Sequence, residues 1–257
     1  MRAQANIKKI FRYPVKGLSA EALEQAVLSA RQTVPGDRLY AIENGPSGFD
    51  PAAPAYFPKQ RFLMLMRNER LARLDTRFAD ATHTLEVRDG DSSVRGDLST
   101  AEGRQAIEAF FAALCPDELR GPPKVLHAPG HSFSDVSRKV VSIINLASVG
   151  AIETLVGAPV DPLRFRANIY AEGWPPWHEF DLVGRTLTLG AGVRVRVVKR
   201  IERCAATNVE PGTGIRDLSI PNSLLRACGH TDCGIYAEVI AGGTIAPGDP
   251  IDALDEG

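Results

Sequence analysis

Short apolar runs separated by turn residues fill the first hundred positions of the chain. Runs of this length bounded by Gly, Pro, Asn and Asp are typical of β-strands. They predict strands at residues 7–13, 22–30, 39–42, 62–66, 84–88 and 94–95. Residues 62–66, Phe-Leu-Met-Leu-Met, are continuously apolar, which predicts a strand buried on both faces. Asp89-Gly90-Asp91 lies between the last two runs and predicts a hairpin turn.

A helix is predicted after this set of strands. Ser99-Thr-Ala-Glu102 matches a capping box, and the apolar residues that follow it recur at helical spacing. The helix is expected to end near Pro116, and a Gly-Pro-Pro stretch shortly afterwards indicates a linker. We therefore predict a first module over residues 1–118 and a second module over residues 119–257.

The second half of the chain is again dominated by strand patterns. They predict strands at residues 124–127, 140–144, 168–171, 186–189, 193–198 and 234–240. One helix is predicted from a cap at Asn145 to Leu155, with Gly157 ending it. Strands outnumber helices, and no alternation of strand and helix is present. The pattern favours a mainly β (α+β) fold of two β-barrel-like modules with a few peripheral helices.

Composition excludes several classes of function. The 257 residues are 44% hydrophobic and 24% charged, and the net charge is −1 without a charged block. This balance argues against partners such as nucleic acid or a membrane surface. The sequence shows no transmembrane span or signal peptide, and four cysteines in a chain of this length do not form a disulfide scaffold. We expect a cytoplasmic protein in a reducing compartment.

The most informative segment surrounds Cys204. Arg203 and Cys204 follow the β-patterned run at residues 193–198, and Thr207 leads on towards a Pro-Gly turn. The thiol is therefore expected where a strand ends and a loop begins, beside an arginine that can hold it as a thiolate. Such a thiolate suits metal ligation, sulfur transfer or nucleophilic attack, and the residues alone leave these three open.

Four further polar clusters stand at predicted strand ends, and each alone has an ordinary structural explanation. Lys16 follows Tyr-Pro-Val and precedes a glycine, where an isolated lysine is usually a solvated surface residue. Arg38 and Lys59 lie in short polar groups at strand starts. Arg166 and Asn168 belong to Arg-Phe-Arg-Ala-Asn at the head of a strand, which is equally compatible with a surface turn and an anion site.

Metal and nucleotide motifs of the common kinds are missing from the sequence. Cys228-Gly-His230-Thr-Asp-Cys233 lacks the spacing of a zinc finger or knuckle, and no second Cys/His pair accompanies it. We therefore predict no zinc site there. The Gly-rich and Walker A patterns of nucleotide-binding folds are also absent, so a nucleotide-binding fold has no support.

Taken in order along the chain, the clusters around Lys16, Arg38, Asp135, Arg166 and Cys204 resemble the MOSC family. This family is the molybdenum-cofactor sulfurase C-terminal type of domain, here preceded by its N-terminal β-barrel module. The closest functional resemblance is to the amidoxime-reducing molybdenum enzymes, which carry both modules. A pair of mainly β modules agrees with the fold class that the strand patterns favour.

The resemblance implies a role for each of these residues. Cys204 is expected to ligate the metal of a molybdenum cofactor (molybdopterin). Arg203 and Thr207 flank that cysteine and are expected to line the same cofactor site. Asp135 corresponds to an acid near the metal and is expected to position groups or deliver a proton. The residues expected to hold the cofactor and its anionic phosphate are Lys16, Arg38, Arg166 and Asn168.

The function implied is a molybdenum-dependent oxidoreductase that reduces N-hydroxylated small molecules by removing oxygen. Some bacterial relatives carry a fused four-cysteine iron–sulfur module, which the cysteines here cannot form. Electrons are therefore expected from a separate protein of the ferredoxin or cytochrome type. Two alternatives remain: sulfur transfer through a persulfide on Cys204, and a non-catalytic carrier of the cofactor.

Overall fold

The computed structural model describes residues 4–254, and within them fifteen strands and three α-helices form. The strands are β1 (Ala5–Arg12), β2 (Glu21–Leu23), β3 (Ala26–Leu28), β4 (Tyr40–Asn44), β5 (Asp75–Ala79), β6 (Thr84–Asp89), β7 (Ser92–Asp97), β8 (Pro123–His127), β9 (Val141–Asn145), β10 (Ile169–Glu172), β11 (Thr186–Leu189), β12 (Val193–Glu202), β13 (Asp232–Ala241), β14 (Gly243–Ile245) and β15 (Pro250–Ala253). The helices are α1 (Ala101–Leu114), α2 (Leu146–Val156) and α3 (Ile220–Cys228). The prediction of a mainly β, α+β fold is confirmed.

Seven strands close into a barrel. Their order is β10-β9-β13-β12-β11-β15-β1, and β1 pairs with β10 to complete the circle, while β2 extends the sheet beside β1. Only β9 and β10 are parallel among these pairs. Alternation along β12 shows why the barrel forms: Val193, Val195 and Val197 are buried inside, whereas Arg194 and Arg196 face outward.

Most of the rest of the first half, together with β8, packs as a smaller body beside the barrel, whereas β3 pairs with β14 and packs against the barrel core. The smaller body contains the sheet β5-β6-β7, the pair β4–β8 and helix α1. Ile107 and Phe111 of α1 are fully buried against Leu85 and Val87 of β6 in one apolar cluster. Strand pairing crosses residue 118 four times, in the pairs β1–β10, β1–β15, β3–β14 and β4–β8. The division into 1–118 and 119–257 stays a prediction.

The predicted strand at residues 22–30 forms two short strands instead, β2 and β3, which pair with β1 and β14. A second predicted strand is wrong. Residues 62–65 are buried as expected and Met66 is half-buried, but only Phe62 makes a bridge, and the segment then turns. The cause is Asn68, whose side-chain oxygen accepts from the Met64 N–H at 3.0 Å and whose N–H donates to the Met64 carbonyl at 2.9 Å. These bonds take the place of a sheet partner, so burial alone did not indicate a strand.

The ends of α1 and α2 agree with the capping residues predicted from the sequence, except for the N-cap of α1. Thr100 rather than Ser99 caps α1, because the Thr100 hydroxyl accepts from the Gly103 N–H at 3.0 Å. Asn145 caps α2 and Gly157 ends it in the left-handed conformation, as predicted. Helix α3 was not predicted. No helix among residues 4–254 combines the length and the apolar character needed to cross a bilayer.

Candidate functional site

A cleft of about 220 Å³ lies where the barrel meets the smaller body. All eight residues singled out from the sequence line it, namely Lys16, Arg38, Asp135, Arg166, Asn168, Arg203, Cys204 and Thr207. They come from five separate segments of the chain. The fold therefore brings the predicted residues together in one cleft.

Cys204 stands at the point where β12 ends and a short 3-10 turn, Ala205–Asn208, begins. The turn is held by Thr207, whose N–H and hydroxyl both donate to the Cys204 carbonyl, at 3.1 and 3.0 Å. The Cys204 side chain is partly exposed to the cleft. Thr207 itself is buried, so its hydroxyl fixes the backbone of the cysteine.

The nearest polar neighbour of the thiol is Lys59. Its Nζ lies 3.1 Å from the Cys204 Sγ. Burial acts to lower the pKa of Lys59, but the charges of Asp135 and Cys204 outweigh it, and the pKa is raised. Lys59 therefore remains an ammonium at neutral pH and places a positive charge beside the sulfur. The sequence marked Lys59 only as part of a weak polar cluster, and nothing near it in the chain indicates this contact.

Lys16 and Asp135 form the next ion pair along the cleft. The Lys16 ammonium is buried and donates to the Asp135 carboxylate and, at 2.8 Å, to the Phe133 carbonyl. Burial lowers the pKa of Lys16, although Asp135 opposes the effect. Burial would raise the pKa of Asp135, but Lys16, followed by Lys59, holds it well below its usual range. The Asp135 side chain is 48% exposed, so an ionised carboxylate faces the cleft.

Two arginines pack on the buried ring of Tyr13. The guanidinium carbons of Arg38 and Arg166 lie 4.7 and 4.2 Å from the ring centroid. Arg38 donates to the Asp37 carboxylate at 2.5 Å and to the Arg166 carbonyl at 3.0 Å. Both arginines have φ of 51°, a left-handed conformation that is uncommon outside glycine and is often found at functional sites.

The guanidinium groups of Arg166 and Arg203 are incompletely bonded. Arg203 donates through Nε to the Cys233 carbonyl at 2.7 Å and through Nη1 to the Phe165 carbonyl at 2.9 Å. Within residues 4–254, the buried Nη2 atoms of Arg166 and Arg203 have no hydrogen-bond partner. Burial lowers the pKa of Arg166 to about 10, which leaves it charged at neutral pH. Buried unbonded donors of this kind are rare, and here both belong to cations that line one cleft.

The Asn168 side chain forms hydrogen bonds within the protein. Its side-chain oxygen accepts from the Ser142 N–H and hydroxyl at 3.1 and 2.9 Å, and its amide donates to the Phe11 carbonyl at 3.2 Å. These bonds tie β1 and β9 to the start of β10. Asn168 therefore lies in the cleft wall with its amide engaged inside the protein, and its predicted contact with a cofactor stays a prediction.

Two family models match successive parts of the chain. The MOSC N-terminal beta barrel domain matches residues 4–114, and the MOSC domain matches residues 128–252. The chain belongs to the MOSC family. MOSC domains are associated in general with binding of the molybdenum cofactor.

Two solved structures are similar to this MOSC chain in fold. The YUAD protein from Bacillus subtilis is 14% identical over 96% of this chain and 94% of its own, with a TM-score of 0.47. YiiM from Geobacillus stearothermophilus is 21% identical over 46% of this chain and 55% of its own, with a TM-score of 0.36. No curated protein matches the chain.

The MOSC cleft has the donor set that an anionic, thiolate-ligated group requires. Lys16 and Arg38 are largely neutralised by Asp135 and Asp37, whereas Arg166 has no carboxylate within ion-pair distance in the described part of the chain. Its unbonded Nη2 is a ready donor for a phosphate oxygen. At the other end of the cleft, the thiol of Cys204, the predicted metal ligand, lies beside the Lys59 ammonium. The residues present fit a cofactor that joins a phosphate to a soft metal.

Proposed function

We propose that this chain binds a molybdenum cofactor through Cys204 and reduces N-hydroxylated small molecules with electrons from a separate ferredoxin- or cytochrome-type protein. One observation carries the proposal: the Cys204 thiol lies 3.1 Å from the Lys59 ammonium, in a cleft whose wall holds buried guanidinium nitrogens without partners. The first feature suits a thiolate ligand, and the second suits an anion. Membership of the MOSC family supports the choice of cofactor.

The chain's own residues divide between holding the cofactor and managing charge. Arg166 and Arg203 offer guanidinium donors to an anionic phosphate, and Arg38 helps to hold the Arg166 backbone in place. Cys204 offers the sulfur ligand, and the turn held by Thr207 fixes its direction. When bound, the cofactor supplies oxygen-atom transfer coupled to a two-electron change at the metal.

Lys59, beside the thiol, is the group that can supply a proton. Conversion of an amidoxime to an amidine and water consumes two electrons and two protons, so a donor is needed near the metal ligand. Lys59 carries a proton on Nζ at neutral pH and can hydrogen-bond to an oxygen near the sulfur. Asp135 is ionised at neutral pH, which suits it to positioning the Lys16 ammonium rather than to acting as an acid.

Elemental analysis tests the metal ligand. Molybdenum is measured in the wild type, Cys204→Ala and Cys228→Ala, all purified from cells with intact cofactor synthesis. Cys228 is exposed at the end of α3 and does not line the cleft, so it controls for removal of a thiol. We expect near-stoichiometric metal in the wild type and Cys228→Ala and none in Cys204→Ala. Equal metal in all three proteins would refute ligation by Cys204.

Turnover separates the reductase from its alternatives. Wild-type protein loaded with cofactor is given benzamidoxime and a chemically reduced viologen, and benzamidine is measured. Benzamidine formed only when both are present supports the reductase. Stoichiometric metal without turnover supports a cofactor carrier. Sulfane sulfur on Cys204 in protein without molybdenum supports sulfur transfer through a persulfide.

A further inference from the structure

A second groove of about 430 Å³ adjoins the cleft. The residues that line both spaces are Asp135, Val136, Val140, Lys199 and Tyr236. The groove continues outward past Tyr56 and Arg138. The groove and the cleft are therefore adjacent, and these five residues lie between the Cys204 side of the cleft and the groove.

Lys199 faces the groove because β12 is irregular at this point. The pairing of β12 with β13 shifts register between Val197 and Lys199 and again between Arg200 and Glu202. Such bulges break the inward–outward alternation and redirect side chains, often beside functional sites. Lys199 is exposed and pairs with no carboxylate in the part of the chain that the structure describes.

The neighbouring charges are already paired. Arg138 is bonded to the Glu238 carboxylate, and Asp135 is bonded to Lys16. The groove therefore has one unneutralised cation, the Lys199 ammonium, which also lies 5.9 Å from the centroid of the Tyr236 ring. An anionic group of a ligand would meet this charge first.

Two tyrosines supply flat apolar surface around that charge. Tyr236 lies on β13 opposite Lys199, and burial raises its pKa, so its phenol stays neutral and does not repel an anion. Tyr56 comes from the exposed loop between β4 and the 3-10 turn at Lys59, and its hydroxyl donates to the Asp135 carbonyl at 3.1 Å. Aromatic side chains of this kind suit planar ligands.

We propose that the groove binds the carboxylate-bearing aromatic end of the substrate, with Lys199 as the residue that determines specificity for a negative charge. The proposal rests on the proposed function for the reacting end of the molecule, which points towards Cys204. The substrate class is then an aromatic N-hydroxylated compound with a carboxylate remote from the reacting nitrogen.

Binding and turnover of two probes test this inference. Benzamidoxime and 4-carboxybenzamidoxime are compared with wild-type protein by calorimetry, both with and without bound cofactor. We expect at least about tenfold tighter binding of the carboxylated probe, a preference that a single charge-assisted contact can supply. Lys199→Met should abolish the preference, and Lys199→Arg should keep it. Lys124→Met removes an exposed lysine on β8, outside the groove, and should change nothing.

Turnover should show the same dependence in KM, with kcat unchanged, because Lys199 is remote from the reacting nitrogen. Equal affinity for the two probes, or a preference that survives in Lys199→Met, would overturn the role of the groove. Lys199-dependent binding without reduction of either probe supports the groove and rejects the reductase. The two proposals can therefore fail separately.

Discussion

The unbonded Nη2 of Arg166 leads to a prediction about stability that needs no cofactor. Burial lowers the pKa of Arg166 to about 10, so the folded protein bears an unfavourable buried charge at pH 7. A shift of this size corresponds to about 3 kcal/mol as an upper limit. Packing of the Arg166 guanidinium against the Tyr13 ring stabilises the folded protein by about 0.5–2 kcal/mol. Arg166→Met should therefore be about 1–2 kcal/mol more stable than the wild type in chloride buffer.

Inorganic phosphate should make the wild type more stable than Arg166→Met. A phosphate ion that accepts one charge-assisted hydrogen bond from Arg166 and one from Arg203 should bind with a Kd of about 1 mM. At 100 mM phosphate the wild type should gain about 2.7 kcal/mol, which raises Tm by about 5–10 °C. Arg166→Met should show only the small nonspecific effect of phosphate as a salting-out ion.

Thermal denaturation at pH 7, in phosphate and in sodium chloride of equal ionic strength, measures both effects. Arg88→Met is the matched control, because Arg88 is an exposed arginine paired with Glu86 on the β5-β6-β7 sheet. It should respond to phosphate as the wild type does. The reasoning fails if Arg166→Met is less stable than the wild type in chloride, or if phosphate raises the Tm of all three proteins equally.

Three further predictions follow from single contacts. Lys59→Met removes the charge 3.1 Å from Cys204 Sγ, so alkylation by iodoacetamide at pH 7 should slow by roughly threefold to tenfold, whereas Lys59→Arg should keep the rate. Burial raises the pKa of Glu179 in the folded protein. The free energy of unfolding should therefore be highest below the unfolded-state pKa of this carboxyl group and should fall as the pH rises through its folded-state pKa. In Glu179→Gln the urea midpoint should fall less over the same pH range. Gly234→Ala would place a methyl group 2.6 Å from a β9 carbonyl at φ of 78° and should cost more than about 2 kcal/mol in urea denaturation. Gly184→Ala, with φ of 84° and open space, should cost about 1 kcal/mol.

The features predicted correctly from the sequence are those with a local cause. Helix α2 has its cap at Asn145 and its end at Gly157, and both act through neighbouring backbone groups. The thiol of Cys204 was expected at a strand end because residues 193–197 at the start of β12 alternate regularly between buried and exposed. The strand at residues 62–66 was wrong because a side chain four positions from Met64, that of Asn68, took the backbone bond that a sheet needs.

Two features with a long-range cause, the contact of Lys59 with Cys204 and the groove beside Lys199, were not predicted from the sequence. Lys59 and Cys204 are separated by 145 positions, and their contact exists only because the smaller body packs on the barrel. The Pro-Lys-Gln-Arg context of Lys59 has no periodicity or spacing that indicates a partner. The groove beside Lys199 depends on two register shifts in β12, which arise from pairing with β13 and have no separate signal in the strand itself.

The same long-range pairing implies that residues 119–257 cannot form the site alone. Strand β1 closes the barrel by pairing with β10 and β15, and the Asn168 amide is bonded to the Phe11 carbonyl. A fragment of residues 119–257 would leave those two strands as open edges, which favour aggregation. It would also lack Lys16 and Lys59.

We therefore expect this fragment to be aggregated or molten by sedimentation and near-ultraviolet circular dichroism, whereas the full chain unfolds cooperatively. A monomeric fragment with a cooperative thermal transition would contradict the argument, because it would show that the barrel closes without β1. The cationic cleft then depends on both halves of the chain for a physical reason: the strand that closes the barrel leads directly into the segment that carries Lys16.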